Sequence, residues 1–136
     1  MRVKHFIYEE LDLVKVRDMA KDANGWNDDT ADRAVCRYRD FLWVCWSCGR
    51  GGAPVAWISV LADQVWHSHL QLPAAYLAAS ETIFGRGYIL DHTPVLANGR
   101  RVSDDDRIRA SDDYRELGLE VPSDLRDECI WAVVRQ

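Results

Sequence analysis

No stretch of this chain approaches the roughly 18 consecutive apolar residues of a membrane-spanning helix, so no membrane role is expected. The opening Met1-Arg2-Val3-Lys4-His5 lacks the apolar core of an export signal, which makes a cytoplasmic location the expectation. Positive charge is in short supply: 17 Lys and Arg face 22 Asp and Glu, a formal net charge of −5. Gripping a phosphate backbone requires a net cationic surface, so nucleic acid is not an expected partner, whereas a basic protein is an admissible one. Internal repeats and low-complexity tracts are absent. The Gly49-Arg50-Gly51-Gly52 run has neither the glycine order nor the Lys-Ser/Thr ending of a phosphate loop, and no dinucleotide fingerprint occurs elsewhere.

What is present describes a compact globular domain. With 136 residues the chain can bury a proper core without a metal or disulfide staple, so any metal it takes up is functional before it is structural. Apolar residues make up 48% of it and six are Trp. The mean hydropathy of −0.29 suits a water-exposed surface. The expected fold class is mainly α: one compact multi-helix domain spanning residues 1–136, with one or two short extended segments.

Periodicity lays out the elements. Phe6 to Ala23 reads as a first helix with Leu11, Val14 or Lys15, and Met19 on one side, stopped by Asn24-Gly25. Asn27 or Asp28 caps a second, in which Ala31, Ala34, Val35, Tyr38, Phe41, Leu42 and Cys45 recur at helical spacing until Gly49. Gly49 to Gly52 is then a flexible loop near the mouth of any site, and Ala53 to Ser59 is extended. Ser59 caps a helix over about Val60 to Leu70, and Pro73 opens the next, which Gly85 ends after Phe84. Tyr88 to Leu90 is a short apolar return leading into Asp91 and His92. Ser103 followed by three aspartates is a capping box opening a helix to about Leu117, its acids solvated at the favourable end of the dipole. Ser123, after Pro122, opens a last segment through Val133 that reads as a helix, with a strand over Ile130 to Val134 as the alternative.

The four cysteines read as thiols rather than as a disulfide framework. Cys45-Trp46-Ser47-Cys48 has CxxC spacing, yet it falls near a helix end, whereas a redox pair uses a helix start, where the dipole stabilises thiolate. A zinc site of Cys45, Cys48, His67 and His69 is a further alternative. The single residue between its two histidines is shorter than usual for such a set. Packing cysteines are the preferred reading.

Chemistry concentrates in Asp63-Gln64-Val65-Trp66-His67-Ser68-His69 and, further on, Asp91-His92-Thr93-Pro94. On a helix Asp63 and His67 stand four positions apart and share a face, so both can converge on one ion. His92 could close the pair into a site of two imidazoles and one carboxylate, open to water or substrate, for one divalent transition metal: zinc first, then iron or manganese. His69 lies about 200° around the helix from His67. The alternative is structural: Trp66 and His67 pack, and Asp63 orients His67 within a buried polar network.

The motif Asp63-x-x-Trp66-His67-x-His69-Leu70, followed by Pro73-x-x-Tyr76, Phe84-Gly85 and Leu90-Asp91-His92-x-Pro94, resembles the glycine-rich domain-containing protein-like family. Arg37-Tyr38-Arg39-Asp40-Phe41-Leu42 is similar to the segment that precedes that motif in bacterial members. The resemblance spans about residues 31–94, with a weaker echo at Tyr114-Arg115-Glu116-Leu117-Gly118. Where the family usually carries a Cys after its Tyr, this chain has Ala78-Ala79-Ser80. The resemblance implies a mostly helical domain with a His-centred site. It implies more for His67 and His92 than for His69, whose position varies, and it implies no established reaction.

Were Asp63, His67 and His92 to hold a metal, hydrolysis or a lyase step on a small substrate would be the economical expectation. His69, Glu81 and Asp91 are candidates for a general base, and Tyr76 for a hydrogen bond to a ligand oxygen. An iron oxygenase would use the same ligands, with Arg86 or Arg100 for an oxoacid. The competing expectation is a small acidic adaptor or inhibitor without catalysis, such as a phage-encoded inhibitor of host defence, with Trp and Tyr anchors on a basic partner.

Overall fold

The computed structural model describes residues 2–48, 55–93 and 104–135; of residues 55–57, 92, 93, 104, 106 and 126–135 only the backbone is described. The Gly49–Gly52 loop, Arg100 and the Ser103 cap lie outside the described residues. The architecture is mainly helical: α1 (Arg2–His5) leads into a π-helical turn (Phe6–Glu10), followed by α2 (Val14–Asn24), α3 (Asp28–Cys48), β1 (Val55–Ser59), α4 (Val60–Leu70), α5 (Pro73–Phe84), β2 (Tyr88–Thr93), α6 (Asp104–Glu116) and β3 (Leu125–Arg135). No described helix is long and apolar enough to cross a membrane.

The first expected helix is broken. Leu11 and Leu13 are both buried, and two residues at that spacing reach one core only if the chain between helices is extended, as Leu11 is (φ −63°, ψ 115°). Asp12 then takes the Val14 backbone N–H at 3.1 Å and starts α2, while the Arg39 guanidinium binds the carbonyls of Ile7 and Leu11 at 2.6 and 3.0 Å. The buried side of α2 is Val16 and Ala20. Val14 is 66% exposed, and Lys15 too faces water, against the expected stripe. Gly25 ends α2 at φ 66°, a left-handed turn that glycine adopts without a side-chain clash.

Helix α3 follows its expected pattern. The Asn27 side chain accepts the Thr30 N–H at 2.8 Å, and Ala31, Ala34, Tyr38, Phe41, Leu42 and Cys45 are buried, with Val35 half-buried. Arg17 bonds Asp18, Asp28 and Asp32 at 2.7–3.1 Å and fastens α2 to the start of α3. Both helices pack against α4, which leaves α4 buried over most of its circumference.

The segment after Pro122 is the main departure from expectation. It is not a helix but the eleven-residue strand β3, the centre of a three-stranded sheet in the order β1-β3-β2, antiparallel to both neighbours. The β-branched and aromatic run Ile130-Trp131-Ala132-Val133-Val134 suits a strand paired on both sides. The capping chemistry expected near Ser123 does exist, but it serves another helix. Asp124 accepts the Leu61 N–H at 3.1 Å and the Ser59 hydroxyl at 3.0 Å, and its carbonyl accepts the Val60 N–H at 3.2 Å, so β3 begins by capping α4. Helices α4 and α5 together form the crossover from β1 to β2, with β3 inserted between those strands.

Candidate metal centre

Helix α4 starts where its cap places it: the Ser59 hydroxyl accepts the Ala62 N–H at 3.3 Å. Asp63 follows in its first turn. Its side chain is only 8% exposed, whereas His67, one turn later, is 51% exposed, and Nε2 of His67 lies 3.4 Å from Oδ1 of Asp63. The pair is therefore graded, with the carboxylate inside and the imidazole at the water boundary. That separation exceeds the usual 2.7–3.2 Å of an N–H···O bond. It matches the roughly 3.3 Å between two ligands held ~2.0–2.1 Å from one tetrahedral ion.

Below the pair lies an aromatic layer. Trp66 is fully buried, with its ring centroid 5.2 Å from that of Phe41. Its Nε1–H donates to the Tyr76 hydroxyl at 2.9 Å, and that hydroxyl donates in turn to the Leu90 carbonyl on β2. Tyr76 was expected to bind a ligand oxygen; its proton is directed to the backbone instead, and burial raises its pKa, an effect that donation from Trp66 opposes. His69, expected as a general base, is buried on the far side of α4 from His67. Its Nδ1 is 2.7 Å from the Tyr38 hydroxyl, and the Tyr38 and Tyr76 rings stand edge-on to it at 5.7 and 5.1 Å. Burial pushes the His69 pKa down to about 4, which keeps the imidazole neutral at pH 7, and raises that of Tyr38.

The remaining candidates spread out along the chain. Asp91 is exposed on β2 opposite Ala132, Glu81 is half-buried on α5, and Arg86 is exposed. The backbone of His92 pairs with Trp131 of β3, while its side chain lies outside the described residues. Because strand faces alternate with a period of two, positions 90 and 92 share a face, and Leu90 is the residue tied to Tyr76. Among the described residues no group of three or more His, Cys, Asp or Glu side chains converges on one point. The Cys45/Cys48/His67/His69 zinc set is accordingly not assembled. Cys45 is buried, and desolvation, with Asp113 and Glu116 nearby, pushes the Cys48 thiol up to about 11, the opposite of what a redox thiol needs.

Two features of the site were hidden in the sequence. Tyr38 sits in the apolar stripe of α3, where its spacing marks it as core and gives no sign of its bond to His69. The Leu90 carbonyl is backbone, which no side-chain pattern reveals. No family model, no curated protein and no solved structure matches the chain.

Proposed function

We propose that this chain is a metal-binding helical domain in which Asp63, His67 and His92 hold one divalent transition metal, zinc before iron or manganese, for a hydrolase or lyase reaction on a small substrate. The observation that carries the reading is the pairing of Asp63 with His67 one turn apart on α4, Nε2 lying 3.4 Å from Oδ1, an ion-pair separation at which both side chains can also face one ion. The path of the chain adds support, since Leu90, two residues before His92, is bonded through Tyr76 to Trp66, the neighbour of His67. A bound ion of this class supplies an acidified water or polarises a carbonyl or phosphoryl oxygen.

The chain's own residues then divide the work. Asp63 offsets positive charge from the protein side and His67 presents the site to solvent. Asp91, exposed on the strand face opposite to position 92, is turned from the site, so Glu81, half-buried on α5, is the remaining general-base candidate. His69 and Tyr76, buried and bonded to protein groups, support the ligands rather than touch a substrate. Kinship with the glycine-rich domain-containing protein-like family belongs to the same proposal, because it rests on these positions.

Elemental analysis of the purified chain, before and after chelation, tests the proposal. One metal per chain is expected, lost in His67→Ala and in His92→Ala and retained more weakly in His69→Ala, with metal-dependent turnover of an ester, amide or phosphate library abolished in His67→Ala. Equal loss in all three variants would move His69 into the ligand set, and a chain that takes up no metal under any loading overturns the site.

One observation favours the adaptor reading instead. Three clefts, of about 380, 480 and 350 Å3, gather around the Arg2–Val14 segment, with Thr82, Leu119 and Val35 among their other lining residues, and offer a surface for a partner. One stoichiometric protein partner, bound equally by His67→Ala while the library stays silent, would decide for it.

A further inference from the structure

We propose that Tyr76 is a positioning residue for the metal site: through its hydroxyl it locks strand β2, and with it position 92, onto the helix that carries Asp63 and His67. The inference rests on the metal reading above. Three elements meet at this one oxygen. Trp66, adjacent to His67 and three residues from Asp63 on α4, donates its indole N–H to it at 2.9 Å. Tyr76 belongs to α5, and its own proton goes to the Leu90 carbonyl of β2, two residues before His92.

The arrangement is selective. Leu90 lies on β2, which pairs with β3, and the tyrosine that donates to its carbonyl is itself buried. The Tyr76 hydroxyl makes two bonds between elements, one from Trp66 of α4 and one to Leu90 of β2, beside a hydrogen bond with Ser80 of its own helix, and removing it takes a partner from the indole N–H and from the carbonyl. The three metal ligands would come from two elements, α4 and β2. Their spacing depends on how closely β2 is held to α4, and the Trp66–Tyr76–Leu90 relay is a polar contact that joins the two. Groups that support ligands in this way alter metal affinity by about 10–100-fold when removed.

Cobalt titration of the full chain, read by the visible absorption of the bound ion, provides the test. Tyr76→Phe keeps the ring and its packing and should weaken cobalt binding at least about tenfold, with a changed visible band, while far-UV circular dichroism stays native. Ile83→Val, on the same helix and equally buried, is the control for general loosening and should keep cobalt affinity within about twofold. If Tyr76→Phe does not fold, Trp66→Phe removes one of the two bonds and should give an intermediate loss. Wild-type affinity in the variant tested overturns the positioning role and leaves the metal site standing, as does an equal loss in Ile83→Val. A wild-type chain that gives no cobalt spectrum overturns the metal site, and the positioning role falls with it.

Discussion

His69 lies buried on α4 against the rings of Tyr38 and Tyr76. Folding takes its imidazole from water and gives it the Tyr38 hydroxyl, with a pKa near 4 in place of the usual 6.5 of an unfolded chain. Because the folded value is the lower one, the neutral ring's contribution is fully present above pH 6.5. It is lost as pH falls from 6.5 toward 4, where the unfolded chain takes a proton that the folded one refuses. In the presence of chelator, urea midpoints measured from pH 7.5 down to 5 should show a decline on the order of 2 kcal/mol at pH 5. His69→Gln should flatten it. Asp40 and Asp113, whose pKa values burial raises, act in the opposite direction, so the difference between wild type and variant isolates the histidine. An identical slope in both proteins would show that His69 is not the group responsible. Local sequence carries no sign of this role: the Trp-His-x-His run suggests ligands, and which of two neighbouring histidines goes inside depends on what lies on each side of α4.

At the scale of elements, the junction of β3 with α4 is the telling case. Asp124 immediately precedes the central strand; its carboxylate accepts from Ser59 and Leu61 and its backbone carbonyl from Val60, so one residue ties the beginning of the candidate site helix to the entry of β3 into the sheet. Asp124→Ala should therefore destabilise the fold by about 1–2 kcal/mol, the loss typical of a capping side chain. It should also raise amide exchange in the first turn of α4 before that in α3. Unchanged exchange at Leu61 and Ala62 would remove Asp124 from the cap. Ser59 could be recognised as a cap from its position before an apolar run. Its partner, 65 residues away, could not, because local spacing carries no information about a contact made on the return of the chain.

For the molecule as a whole, β3 is the element on which the sheet depends, since it alone pairs with both other strands. Proline fixes φ near −65° and has no N–H to donate, so Ala132→Pro, opposite Asp91 inside the central strand, should lower the thermal midpoint. Unfolding of the sheet should also release position 92 from α4, and cobalt binding should disappear with it. Native thermal stability in Ala132→Pro would contradict the central placement of the strand. Much of the architecture was already determined by the sequence: the mainly helical class, α3 with its buried stripe, α4 from Ser59 to Leu70, α5 from Pro73 to Gly85, and the i,i+4 meeting of Asp63 with His67. Each of these rests on interactions within one or two helical turns, which periodicity and caps record directly. Tertiary structure alone decided the break at Leu11–Leu13, the choice of the strand alternative over the helix after Pro122 and its extension to Leu125–Arg135, the burial of His69, and the relay from Trp66 to the Leu90 carbonyl. Those depend on partners tens of residues away, where burial and a shared sheet outweigh the helical preference of the local segment.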